Sequence, residues 1–289
     1  MKGRMIAAIV GLVGLARLSL AQDPPAPPAP LPNQAHAVQS HGDDLFGDSH
    51  EDINVTSEGG LEWLRDRHIY IARQNAVATR GKSSITGDML TAFYDDSDKH
   101  LKRLLAEGHV TIHDGDTVSS GERADYDADR KWIRLTGREI KSETSDSTLT
   151  ATRSLDYWSD PMVAVADGGG RVVQSDNTIT ANHLVIYFRK DPAQNDKRVA
   201  FQIEGTGDAH VLTAKGQATA SKVVHNIDQD FTLLTGNVHL WENGRETFGE
   251  RAEINNKTGI SKVLGAGKPV RANIKSNDNP SPANPPATP

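Results

Sequence analysis

The feature that most narrows the choice of fold is a phrase of about thirty residues that returns six times along the chain. One copy reads VSSGERADYD over 118–127 and continues WIRLTG over 132–137. Another reads ASKVVHNID over 220–228 and FTLLTGNVHL over 231–240, and a third reads TFGERAEIN over 247–255 and GISKVLG over 259–265. Weaker copies open at Ile85, Leu149 and Ile179. The small residue that opens each copy falls at Gly87, Gly121, Ala151, Ala181, Ala220 and Gly249, at spacings of 34, 30, 30, 39 and 29. A glycine closes each copy near 108, 137, 168, 205, 236 and 265. A period in this range marks a repeat architecture, in which stacked units bury one continuous core that no single unit could bury alone.

Within a copy the apolar residues alternate. Ala124 and Tyr126 face one way and Arg123 and Asp125 the other; Ile133 and Leu135 oppose Trp132 and Arg134. Period two, broken by Asp-rich turns such as Asp127–Arg130, is the pattern of half-buried strands. Turns that short require antiparallel pairing. Parallel β-helices usually repeat faster, at about 20 residues a coil. The expected fold is therefore all-β: an elongated, twisted antiparallel β-jelly roll, a two-layer meander of about 14–16 strands, half open, with unpaired edges at both ends. The stretch Leu61–Ala78, the best helix candidate in the body, is read mostly as strand because Ile69 and Ile71 alternate. With 36% apolar and 5% aromatic residues the core must be lean, which suits thin layers.

Alternation assigns a lining to the interior: Leu90, Val110, Ile112, Tyr126, Ile133, Leu135, Leu184, Ile186, Phe201, Ile203, Val211, Phe231, Leu233, Val238, Leu240, Phe248 and Ile254. Ala124, Ala252 and Val263 belong to the same set. Thr232 and Arg134 are expected to face outward. Two interior states fit this lining. One is a fully packed core; the other is an incompletely filled apolar slot that admits acyl chains.

The flanks differ from the body. Residues 1–21 read as a secretion signal. Lys2 and Arg4 precede an apolar run from Met5 to Ala16, and Ser19 and Ala21 are the small residues a signal peptidase needs. The run is shorter than the roughly 20 apolar residues of a membrane span. Residues 22–53 contain DPPAPPAPL and are expected to be disordered, as is a Pro-rich tail over 271–289. The folded body is placed at 54–270. Loss of the signal removes three cations and no acid, taking the net charge from −6 to −9. So acidic a protein repels phosphate backbones, which argues against nucleic acid as a partner.

Chemistry is scarce. The absence of cysteine removes disulfides, thiol nucleophiles and thiolate metal sites. No nucleophile elbow, zinc-protease motif or phosphate-cradling glycine loop occurs. His109 and His113 would lie ~13 Å apart on one strand face, too far for a shared metal. His36, His41 and His50 belong to the linker. Asp125 with Asp127, and Asp228 with Asp230, recur at repeat turns and are read as turn residues rather than catalytic pairs. The four tryptophans, at 63, 132, 158 and 241, are scattered along the sequence and suggest no sugar-stacking platform. No catalytic residue, metal site or cofactor is expected.

The phrases GERADYD at 121–127, LTG at 135–137, LLTGNVHL at 233–240 and GERAEI at 249–254 resemble the OstA-like, LptA-type periplasmic proteins of lipopolysaccharide transport. The likeness covers about 54–267. It implies a half-open jelly roll that holds the acyl chains of lipid A between its sheets. It also implies edge-strand pairing with inner- and outer-membrane components of the machinery, and head-to-tail self-association. Long tails, an irregular stretch over Ser142–Gly170 and an insertion over Arg189–Arg198 depart from a simple member. Arg123, Arg153, Lys222 and Arg251 recur beside the small residue of successive copies and form either a solvated outer face or a ladder that meets lipid phosphates. The competing functions are a structural or adhesive envelope repeat without lipid, and a polysaccharide-active enzyme.

Overall fold

A computed structural model describes residues 52–274, apart from 98, 99, 195, 243, 266 and 268. The signal segment and most of both Pro-rich flanks lie outside the described residues. Eighteen strands and two short 3-10 turns make up the body. The first strands are β1 (Asn54–Thr56), β2 (Leu61–Leu64), β3 (Ile69–Arg80), β4 (Ser83–Tyr94), β5 (Leu101–Asp114) and β6 (Thr117–Asp127). The middle holds β7 (Trp132–Thr136), β8 (Ile140–Glu143), β9 (Ser147–Ala151), β10 (Ser154–Trp158), β11 (Val163–Gln174) and β12 (Asn177–Asp191). The last are β13 (Lys197–Thr213), β14 (Gly216–Asn226), β15 (Phe231–Glu242), β16 (Arg245–Asn255), β17 (Ile260–Leu264) and β18 (Arg271–Ile274). The last strand thus runs past residue 270. Leu61–Ala78 is strand except for a 3-10 turn at Arg65–Arg67 and its left-handed cap His68.

Pairing is antiparallel and follows chain order from β3 to β6 and from β11 to β16. Four rungs are each made of two short strands lying end to end: β1 with β2, β7 with β8, β9 with β10, and β17 with β18. The eighteen strands, more than the 14–16 expected because four rungs are each split in two, therefore stack as fourteen rungs. In the middle, β6, β7, β10, β11, β9 and β8 pair in a closed circuit.

Each long strand bends once, and the bend is what the repeat encodes. In β3, β5, β11, β13 and β15 two consecutive residues with positive φ, such as Gly108-His109 and Gly236-Asn237, oppose a single residue of the neighbour. A bulge of this kind kinks the strand and deepens its twist. In β4, β6, β12, β14 and β16 the matching position carries the opening small residue, followed three places on by an inward apolar one. The pairs are Gly87 and Leu90, Gly121 and Ala124, Ala181 and Leu184, Ala220 and Val223, and Gly249 and Ala252. A spacing of three in place of two turns the inward face over at the bend. The rows of bends make one crease, from which two walls rise: wall A carries the Asp-rich turns and wall B the two-residue hairpins. Space is short at the crease. A Cβ on Gly205 would lie 2.8 Å from Val223 Cγ1, and one on Gly249 2.5 Å from Val263 Cγ1, which is why the repeat opens and closes on small residues.

The core lies between the walls and runs the length of the stack, from Ala72 and Ala76 to Ala252. A second, smaller cluster, made of Trp132, Trp158, Val163, Val165, Val185 and Tyr187, packs on the outer face of wall A. Trp132 and Trp158 are direct cross-strand partners; the sequence scatter of the tryptophans hides this pair. Both are buried, so they present no open ring to a sugar. At the centre of this cluster buried Asp156 accepts hydrogen bonds from Trp132 Nε1 at 3.0 Å, from Arg134 Nε at 2.7 Å and Nη2 at 3.1 Å, and from Ser154 Oγ at 3.1 Å.

Candidate functional site

Inward residues of the central rungs grade from apolar to polar as they leave the crease. On wall B the inward positions nearest the crease are Gly121, Ile140, Ala151 and Gly170, and the next tier is Ser119, Ser142, Leu149 and Val172. The tier at the mouth is Thr117, Thr144, Ser147 and Gln174. Wall A is apolar for most of its height, with Leu135 and Leu155 low, then Tyr126, Ile133, Tyr157 and Ala164, and turns charged only at its rim, at Lys131 and Arg198. Between them lies a cavity of about 180 Å³, lined from both walls and open at the mouth. This is somewhat larger than an engineered apolar cavity of about 150 Å³ that stays dry and binds benzene. The hydroxyls on wall B satisfy one another in part: Ser119 Oγ donates to Ser142 Oγ at 2.9 Å, and Thr144 and Ser147 hydroxyls lie 2.8 Å apart.

The expected lining divides four ways. Ile112, Tyr126, Ile133, Leu135, Ile186 and Ile203 meet at this cavity. Leu90, Val110, Leu184 and Val238 are buried in the packed parts of the same core. Val211, Leu240 and Ile254 line a smaller cavity of about 30 Å³ toward the C-terminal end, about the space of one water.

Phe201, Phe231, Leu233 and Phe248 are corrected to the outer face. In β15 the inward residues are Thr232 and Leu234, which pair with His225 and Val223 of β14; Thr232, expected outside, is buried and joined to His225 Nδ1 at 2.9 Å. The run Phe-Thr-Leu-Leu-Thr offers apolar residues to both faces, so alternation alone does not choose between them. Phe201 is displaced by a bulge between the pairs Tyr187–Gln202 and Phe188–Ala200, and packs against Tyr187 with ring centroids 6.3 Å apart. Phe248 pairs with His239, and their rings stack at 3.9 Å.

Leu149, Leu155, Tyr157, Ala164, Val172 and Phe188, and the charged Lys131 and Arg198, line the cavity without having been anticipated. Strict alternation of Thr117 and Ser119 opposite Ile112 could have pointed to the hydroxyl tier. Nothing local marks Arg198, which reaches the cavity from the end of a long hairpin. Burial lowers the affinity of His225 for a proton, with Asp230 opposing weakly.

Two family models match. One, described as OstA-like protein, covers residues 66–192. The other, described as LptA/(LptD N-terminal domain) LPS transport protein, covers 154–260. Overlapping, they run without a break from β3 to the start of β17, across most of the body. The chain belongs to the OstA-like, LptA-type family. Among solved structures it is similar to LptH from Pseudomonas aeruginosa, described as the LptA-homologous periplasmic component of the conserved lipopolysaccharide transport device. That match has 14% identity and a TM-score of 0.24, over 52% of this chain and 82% of that one. No curated protein matches.

In this OstA-like chain the recurrent basic residues lie on the outer face beside the crease, away from the cavity. Arg123 pairs with Glu107, Lys222 Nζ lies 3.0 Å from Glu204, and Arg251 Nη2 lies 2.8 Å from Glu253; Arg153 is exposed. The repeated aspartates serve turns and cross-strand pairs: Asp125 holds Arg103, Asp127 accepts the Arg130 N–H at 3.0 Å, and Asp228 holds Arg189. His109, at the crease, lies 3.0 Å from Asp88. Among the described residues no cluster has the makings of a metal site.

Proposed function

We propose that the chain is a periplasmic carrier of lipopolysaccharide, one segment of a bridge between the inner and outer membranes, with acyl chains held between walls A and B and sugars left in water. The observation that carries this reading is the graded cavity, apolar toward the crease and hydroxylated on one lip, since a site for an amphiphile needs both ends. At about 180 Å³ it takes part of one chain, so several chains require the walls to part or the ligand to spread along the stack. The family to which the chain belongs supports the same role. Docking by strand addition to related domains fits the terminal rungs. Leu61 and Trp63 on β2, Ile260 on β17 and Ile274 on β18 are exposed apolar residues on edge strands, where an unpaired backbone and an apolar row invite another strand.

The test is site-specific photo-crosslinking to purified lipopolysaccharide. A photoreactive residue replaces Ile133, Leu135 or Leu155 inside, with Arg134, Leu233 and Phe248 as outward controls. Adducts confined to the three inner positions are expected. A folded protein that gives no adduct at any position refutes lipid carriage and leaves a structural or adhesive envelope repeat.

A further inference from the structure

The β12–β13 hairpin is longer than its neighbours and crosses the mouth of the slot. Its ladder runs on through Phe188–Ala200, Arg189–Val199, Lys190–Arg198 and Asp191–Lys197, whereas β11 begins opposite Tyr187 and β14 ends opposite Gln202. The overhang brings two cations of wall A onto the β5–β6 hairpin of wall B. The Arg198 guanidinium bonds Asp114, and its other nitrogen donates to the Tyr157 hydroxyl at 2.9 Å. Lys197 Nζ lies 2.9 Å from Asp116. Both pairs join residues far apart in sequence and on opposite walls, so they act as a clasp. Arg198, Asp114, Tyr157 and Phe188 all line the cavity, with Lys131 on the same rim. Asp114 also accepts a hydrogen bond from Ser83 Oγ at 3.2 Å, and Asp146 on the adjoining hairpin adds negative charge facing Lys197.

Three cations and three carboxylates thus gather where this end of the apolar cavity meets solvent. An alkyl chain in the cavity would bring its own polar head to this point. A planar guanidinium accepts a phosphate in the same two-pronged geometry as a carboxylate. We infer that Arg198 and Lys197 form a headgroup site for a phosphorylated amphiphile, occupied by Asp114 and Asp116 until a phosphate displaces them and frees the mouth. Asp116 is 67% exposed and returns to water when released. The chemistry excludes a neutral head as the preferred ligand, because it would leave Arg198 bound to Asp114 and the walls clasped. The inference rests on the slot being a lipid site.

The test uses the signal-free chain and three probes in titration calorimetry, each amphiphile below its micelle concentration: decyl phosphate, decyl glucoside and inorganic phosphate. Wild type is expected to bind decyl phosphate about tenfold tighter than decyl glucoside, the scale of one charge-assisted hydrogen bond. Arg198→Gln should bring the two within about twofold. Asp114→Asn, which removes the competing carboxylate and keeps Arg198 on Tyr157, should tighten decyl phosphate about tenfold and decyl glucoside by less, so that the preference for phosphate widens. That variant keeps the idea testable if Arg198→Gln does not fold. Equal binding of both decyl ligands by wild type overturns the headgroup site and leaves the slot standing. Inorganic phosphate binding as tightly as decyl phosphate overturns the amphiphile as its source. Binding of no probe removes the slot reading and the headgroup site together.

Discussion

Truncating Leu234 and its neighbour Leu233 one at a time isolates the register of β15. Leu234 is fully buried, facing Val223 on one side and Ala252 on the other across paired strands. Leu233, one residue earlier, points away from the core opposite Val224 and is only partly covered. Leu→Ala at a closed core site loses the transfer energy of the removed atoms and leaves a cavity, about 3–5 kcal/mol in all. The neighbours of Leu234 are short side chains on a hydrogen-bonded ladder, which cannot collapse inward, so the upper half of that range applies. Leu233→Ala loses part of a half-covered surface, about 1 kcal/mol or less. In a body of this length each kcal/mol lowers Tm by about 2–4 °C. Thermal unfolding followed by circular dichroism should therefore show a drop of about 8–20 °C for Leu234→Ala and no more than about 4 °C for Leu233→Ala. Equal losses, or a larger one at Leu233, would refute the register and with it the inward placement of Thr232 and His225.

Asp156→Ala leaves the Trp132 N–H, the Arg134 guanidinium and the Ser154 hydroxyl without their acceptor in a buried cluster, and should destabilise by about 3–5 kcal/mol in urea titrations. Gly236→Val places a β-branched residue at φ +78 with its Cβ 2.8 Å from Ser221 Oγ; soluble yield and Tm should both fall, whereas Val at exposed Gly244, which has open space, should fold with only the strain of its own positive φ. His225 holds its proton more weakly folded than unfolded, so the unfolded chain binds more protons below about pH 6.5 and stability falls as pH drops through that value. His225→Gln should flatten the difference in urea midpoint between pH 7.5 and 5.5, and an unchanged slope would clear His225 of that role.

The repeat, read as one-dimensional spacing, determined much of this protein. Alternation over two residues and turns of a few residues leave only antiparallel strands, and six copies of a strand pair with their flanks set the length of the stack. The opening and closing small residues were visible as landmarks, and the two walls crease along them. That they mark a crease was not visible, because a bulge is a mismatch between two strands and neither strand shows it alone. The same limit explains the lining. Tyr126 faces inward as alternation expects, because the positions beside it on the other face, Asp125 and Asp127, are charged. Leu233 and Phe248 do not, because β15 and β16 carry large apolar residues on both faces, and which face turns inward was settled by the partners Val223, Ala252 and Val238. Phe201 followed a bulge that shifted its strand by one. The Trp132–Asp156–Trp158 cluster and the Arg198–Asp114 clasp, separated by 84 positions, lay further still from what spacing can show. Local pattern fixes which residues can share a face; only closure of the sheet decides which faces meet.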